Sequence, residues 1–243
     1  MTEQLYFVDA YLKECKATIL HVSSLDNRWI AITLDKTVLQ PSHRDGGDKG
    51  VLETENYGII RVEKVVMDQT LNRIDHRSRF AGIIPSGTEA KCKVDWDRRY
   101  RLMRKHTANH LIYGCGKLLS RTNFPALSNT TLGDTYTQWI GQANSVDERL
   151  IKEVFEMANT IICESRNVVI ETLPRQKALE KCGKYLDPIL PRSLAELRVV
   201  TIENLDSNPC IGLHVRNIKE IKKIKLVKVM REGNDIKIFS DVE

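Results

Sequence analysis

The sequence predicts an α+β protein: a small β-barrel over residues 1–92, followed by a mixed α+β domain over 93–243. Two observations predict it. Short runs rich in β-branched and aromatic residues, separated by turn signals, fill the first part of the chain, and near Asp97 the apolar pattern changes to a helical period. The length of 243 residues allows one large or two small units, each able to bury a core. Hydrophobic residues at 42% and charged residues at 28% exclude a disordered tail or a collagen-like rod. No apolar run approaches the roughly 18 residues of a membrane span, and the opening Met-Thr-Glu-Gln-Leu-Tyr-Phe lacks a basic segment leading into an apolar one. A cytoplasmic protein with no membrane partner is therefore expected.

In chain order, Phe7 to Leu12, Cys15 to Val22, Trp29 to Leu34 and Tyr57 to Val66 read as strands. Gln40 to Gly50 has the composition of a turn-rich loop, Pro85-Ser86-Gly87 breaks the pattern, and Glu89 to Val94 reads as a last short strand. Asp97 to Leu119 contains no proline and reads as a long helix, with Asp95 or Asp97 as its cap. Ser145 to Ser165 reads as a second helix, with Ser145 and Glu148 as a capping box and an apolar stripe through Val146, Leu150, Val154, Met157, Ala158 and Ile161. A strand at Val168 to Leu173, a short helix at Gln176 to Lys181, and strands at Leu197 to Ile202 and Ile221 to Val229 complete the pattern.

The net charge of +5 is modest, but its distribution is uneven. Arg98, Arg99, Arg101, Arg104 and Lys105 crowd into eight residues, and Arg216, Lys219, Lys222, Lys223, Lys225, Lys228 and Arg231 form a second cluster. Such clusters predict a polyanionic partner, although neither has the interleaved aromatics of a base-stacking platform. On an exposed strand, lysines also serve to discourage edge pairing. The six scattered cysteines form no CxxC and predict reduced thiols, with Cys115 and Cys163 as packing residues on helices.

His106 and His110 stand four apart on the long helix, so both imidazoles leave one face. Cys210 and His214 repeat the spacing. A lone core histidine explains either pair separately, but both together arise by accident in roughly 0.02 of such chains, which favours a shared role. Three imidazoles and a thiolate make the donor set that Zn²⁺ prefers, one ion per chain. His-Thr-Ala-Asn-His lacks the Glu of a metalloprotease helix. His21, His43 and His76 have no partner at ligand spacing.

The stretch from Val94 to Leu111, with His106-Thr107-Ala108-Asn109-His110, resembles the helix entry of freestanding alanyl-tRNA editing proteins of the AlaX type, whose module also occurs within alanyl-tRNA synthetase and, in related form, threonyl-tRNA synthetase. Arg198 to Asp206, then Cys210-xxx-His214, then Ile218 to Ile221 follows the same family's order. The resemblance spans most of the chain. It implies a zinc-dependent hydrolase that deacylates mischarged tRNA, Ser- or Gly-tRNA for alanine, with alternatives of a non-catalytic zinc-containing tRNA-binding relative or a deacylase for Ser-tRNA for threonine. It implies His106, His110, Cys210 and His214 as metal ligands, Arg98, Arg99, Arg101, Lys222, Lys223 and Lys225 as tRNA contacts, and Gly46, Gly47 and Asp48 as a loop near the site. Thr107 borders that site on the helix and reads either as a catalytic contact to the substrate or as an ordinary helix-surface or core threonine, the plainer reading ranking slightly ahead.

Two departures leave the accepted aminoacyl group open. The family's Gly-Gly-Gly-Gln-Pro-x-Asp-x-Gly loop corresponds here to His43-Arg44-Asp45-Gly46-Gly47-Asp48-Lys49-Gly50, and the common Cys-Gly-Gly-Thr-His is Cys210-Ile211-Gly212-Leu213-His214.

Overall fold

A computed structural model describes residues 2–243 except 27, 43–46, 69, 121–130, 143–146 and 189. The chain is mixed α and β and divides into two compact units, Met1–Arg101 and Leu102–Glu243. Among the described residues, no helix is long and apolar enough to cross a membrane.

The first unit holds β1 (Glu3–Gln4), α1 (Leu5–Val8), β2 (Glu14–Ser24), β3 (Ile30–Leu34), β4 (Lys36–Thr37), β5 (Gly50–Thr54), β6 (Gly58–Val62), β7 (Lys64–Asp68), β8 (Arg73–Ser78) and β9 (Glu89–Val94). Seven strands form an antiparallel sheet in the order β6-β5-β9-β2-β3-β8-β7. The two edges, β6 and β7, are joined by Glu63 alone. Laid flat, six strand spacings would separate those edges by about 29 Å, far beyond the reach of one residue, so the sheet must curl back on itself. Inside it lie Ile19, Ile32, Leu34, Leu52, Ile60, Val65 and Ile74.

Several sequence expectations are corrected in this unit. Phe7 to Leu12 is not a strand: α1 closes with Asp9 N–H on the Leu5 carbonyl at 3.0 Å, and Asp9 Oδ1 then accepts from Tyr11 N–H at 2.9 Å to hold a turn. Tyr57 to Val66 is two strands, interrupted where the curled edges meet. Strand β8 is not among the expected strands: Arg-Ile-Asp-His-Arg-Ser is polar, yet Asp75, His76 and Ser78 are buried.

The second unit contains most of α2 (Trp96–Ser120), then β10 (Thr131–Leu132), β11 (Thr137–Gln142), α3 (Glu148–Ile162), β12 (Val168–Pro174), α4 (Arg175–Cys182), β13 (Glu196–Ile202), β14 (Asp206–Pro209), β15 (Ile224–Glu232) and β16 (Asp235–Val242). Two antiparallel sheets run in the orders β10-β11-β16-β15 and β12-β13-β14. The Asp95 carboxylate accepts from Arg98 N–H at 3.2 Å at the start of α2. Ten consecutive residues of this helix, 107 to 116, are buried. A helix enclosed on every side is ordinarily apolar throughout, so the polar residues inside this one need an explanation.

The second helix begins at Glu148 and is capped by Asp147, whose Oδ1 accepts from Leu150 N–H at 2.7 Å. That replaces the expected Ser145 cap; Ser145 and Val146 lie outside the described residues. Its buried stripe runs through Ile151, Val154, Phe155, Ala158, Ile161 and Ile162. The expected strand at Ile221 to Val229 instead starts at Ile224, after a 3₁₀ turn over Ile218–Ile221 that Asn217 and Glu220 cap reciprocally. All six cysteines are free thiols, with Cys163 exposed at the end of α3 rather than packed.

Candidate metal centre

The centre is built where α2 meets the segment after β14. Helical spacing sets His106 and His110 on one face, and β14 delivers Cys210 immediately after its last residue, Pro209. The candidate ligand atoms of His106, His110, Cys210 and His214 all lie within 4.8 Å of one another. Cys210 Sγ stands 3.4 Å from His106 Nε2. The imidazole centroids are 5.2 Å apart for His106 and His110, 4.2 Å for His106 and His214, and 4.6 Å for His110 and His214. An S–N edge of a zinc tetrahedron measures about 3.6 Å, so the Cys210–His106 contact is already close to that length.

Electrostatics follow from this crowding. Burial opposes a charge on either His106 or Cys210, but their mutual attraction outweighs it, raising the imidazole and holding the thiol well below its ordinary range. His110 adds to the lowering of the thiol, and Gly212 N–H points at Cys210 Sγ from 3.4 Å. His214 is pushed well below the usual imidazole value, first by burial and then by the positive charge of His106.

Three observations test whether these residues fit a metal. The donor set is three imidazole nitrogens and one thiolate, the combination zinc takes. His214 Nε2 is buried with no hydrogen-bond partner. An orphaned buried nitrogen costs about 1–3 kcal/mol, which a cation at that position removes. The residues that hold the ligands are also built for the purpose. Arg198, on strand β13, donates to the Cys210 carbonyl at 2.7 Å and the Gly212 carbonyl at 2.8 Å. At Gly212, a Cβ would sit 1.9 Å from His106 Cε1, so only glycine lets the loop lie against that ring. The residues fit zinc.

Gly212 and Arg198 were present in the quoted motifs without a role. The signal for Gly212 was its survival where both flanking residues changed. Those flanking residues are now explained: Ile211 projects outward, 75% exposed, while Leu213 is buried in the core.

Other expected site residues fall differently. Thr107 is fully buried, and its hydroxyl bonds Met103, Val215 and His214, the surroundings of a core threonine. Arg99 is not a surface cation: it is buried, donates through Nε to Asp48 Oδ1 at 2.8 Å, and reaches the Val38 carbonyl at 2.6 Å. Its full engagement removes it from the expected tRNA contacts. Arg104 likewise serves the carbonyls of Glu220 and Ile221, and Lys105 those of Gly133 and Asp134 together with the Asp241 carboxylate. The first basic cluster is thus largely internal wiring. Arg98 is half-buried and donates to the Gly47 carbonyl at 2.8 Å, and Arg101 is exposed.

The second basic cluster is a surface. Arg216, Lys219, Lys222, Lys223, Lys225, Lys228 and Arg231 are all exposed. Gly47 and Asp48 are anchored within the first unit. Asp48 accepts from Gln40 N–H at 2.6 Å, and Gly47 has φ +70° with a would-be Cβ 2.6 Å from two carbonyl oxygens. Gly46 and His43 lie outside the described residues.

Residues 197–237 match the family model described as the threonyl and alanyl tRNA synthetase second additional domain. The chain is 32% identical over 240 residues to the alanyl-tRNA editing protein AlaX-M of Methanosarcina barkeri, covering 96% of this chain and 95% of that one. It is 30% identical over 247 residues to the AlaX-M protein of Saccharolobus solfataricus, covering 98% and 97%. The alanine–tRNA ligase of Pyrococcus abyssi is 31% identical over 230 residues, which span 88% of this chain but 23% of the ligase. Matched end to end with the freestanding proteins and only in part with the ligase, the chain belongs to the alanyl-tRNA editing protein family of the AlaX-M type.

Proposed function

We propose that this protein hydrolyses mischarged tRNA, removing serine or glycine from tRNA for alanine, with one zinc ion held by His106, His110, Cys210 and His214. The observation that carries the reading is the convergence of those four donors, with the His214 Nε2 orphan among them, in a chain whose full-length relatives are named alanyl-tRNA editing proteins. In this reading residues 1–92 form a β-barrel domain, residues 93–243 the editing domain, and the protein works in the cytoplasm.

The bond to be cleaved is an ester between the amino acid carbonyl and the terminal ribose. Water adds to the carbonyl, the ribose hydroxyl leaves, and the products are free amino acid and intact tRNA. The ester is already activated, so placement of the substrate and stabilisation of charge on its carbonyl oxygen supply most of the rate. When bound, zinc supplies the Lewis acidity that orients and polarises such a group. The chain's own residues do the rest. Arg198 and Gly212 hold the Cys210 loop against His106, and the neighbouring imidazoles keep Cys210 as the thiolate a metal needs. Lys222, Lys223 and Lys225 hold the tRNA backbone, with Arg98 and Arg101 as further contacts. Each phosphate contact contributes a slope of about −0.7 to −0.9 in log affinity against log salt.

The test is deacylation by zinc-loaded protein of Ser-, Gly- and Ala-tRNA for alanine and Ser-tRNA for threonine, with His106→Ala as control. Loss of serine or glycine from tRNA for alanine, absent in the variant, is the expected result. Loss only from tRNA for threonine would overturn the substrate assignment. No cleavage by folded, zinc-bound protein would overturn catalysis and leave a tRNA-binding relative.

A further inference from the structure

Thr107 follows the candidate ligand His106 on α2 and is not itself a ligand. Its side chain is wholly buried. Its hydroxyl has three neighbours: the Met103 carbonyl at 2.9 Å, Val215 N–H at 3.1 Å and His214 Nδ1 at 3.2 Å. A hydroxyl offers one proton and two lone pairs. A carbonyl can only accept, so the proton goes to Met103. A backbone N–H can only donate, so Val215 takes one lone pair. One lone pair remains for His214, and it requires a proton on Nδ1.

We infer that Thr107 is a positioning residue that fixes His214 as the Nδ1–H tautomer, leaving Nε2 bare and aimed at the metal. The inference rests on the zinc reading above for its purpose, while the tautomer is assigned from the three hydrogen bonds of the Thr107 hydroxyl. The orphaned Nε2 is the complementary observation: it is the ring nitrogen without a partner, and the other is the one Thr107 holds. Carboxylates and carbonyls commonly orient metal-bound imidazoles in this way. Here a threonine does so, with its acceptor capacity freed because its own proton is taken one turn back along α2.

The test compares Thr107→Ser, which keeps the hydroxyl, with Thr107→Val, which keeps the shape. Zinc affinity is read by chelator competition, and the His214 tautomer by long-range ¹H–¹⁵N correlation in metal-free protein. The wild type and Thr107→Ser are expected to show Nδ1–H and to bind zinc within a few-fold of each other. Thr107→Val, with unchanged circular dichroism, is expected to lose roughly 10- to 100-fold in zinc affinity and to populate both tautomers. Wild-type affinity in a folded Thr107→Val protein would overturn the inference, as would an Nε2–H tautomer in the metal-free wild type. The second result stands even if Thr107→Val fails to fold. Failure of the wild type to bind zinc at all would overturn the functional reading instead, with the tautomer still measured.

Discussion

Among the described residues, each unit buries a threonine–histidine pair, and the two are wired differently. In the curled sheet, His76 Nδ1 stands 3.0 Å from the Ile32 carbonyl, so it carries the proton, and Nε2 accepts from the Thr37 hydroxyl at 2.8 Å. Both ring nitrogens are satisfied and nothing is left over. At the candidate metal centre His214 gives its Nδ1 to Thr107 and keeps Nε2 without a partner. The same two residue types thus make a closed structural contact in one place and an open ligand in the other. The difference is one missing hydrogen bond. It marks function better than burial does, since both rings are at most 1% exposed.

The strongest way to break this comparison is to delete each ring. His214→Ala should lower bound zinc from one ion per chain to none, read by elemental analysis after dialysis. His76→Ala should keep its zinc and lose about 3 kcal/mol of unfolding free energy, through the cavity and the polar partners left behind. Zinc loss in both variants would merge the two classes.

Next in size is Gly212→Ala. The new Cβ must displace the His106 ring or the loop that Arg198 holds, and zinc affinity should fall by roughly 100-fold or more. An unchanged affinity would show that the close approach of loop and ring is dispensable.

Acid sharpens the contrast from the structural side. Burial, partly offset by its bond to Ile32, holds His76 at about 4. The unfolded chain takes up that proton near 6.5, so between those values the unfolded state binds more protons. The stabilisation is complete above pH 6.5 and is lost as pH falls to 4, about 3 kcal/mol in all. Urea titrations of wild type and His76→Ala across that range should show the slope in the first and its reduction in the second.

The smallest effect is expected at the exposed basic face. Charge reversal of Lys222, Lys223 and Lys225 together should reduce the salt slope of tRNA binding by about 2 to 3 while leaving zinc content unchanged. An unaltered slope would return these lysines to the role of edge protection.

The sequence revealed the centre because its ligands come in two pairs at fixed spacing, and spacing survives folding. His106 and His110 share a helix face by geometry, and Cys210 to His214 is a short segment. What it concealed was direction. Arg99, Arg104 and Lys105 count as cations in any window, but whether a guanidinium meets water or a buried carbonyl is decided by partners up to 117 residues away. Strand β8 was hidden for the same reason: its buried His76 is matched by Thr37 and the Ile32 carbonyl from elsewhere in the sheet, and its buried Asp75 by Arg73 two residues back. The role of Thr107 needed Met103, Val215 and His214 all in view. Composition and spacing could suggest that it bordered the site, but not that it faces inward.

X-ray absorption at the zinc edge of the purified wild-type protein would decide whether the four donors act together. One zinc per chain, with a single sulfur at about 2.3 Å and nitrogen neighbours at about 2.0–2.1 Å, is the expected result. Zinc without a sulfur neighbour, or a folded protein that retains no zinc, would contradict the assignment of Cys210 and the three histidines to one metal.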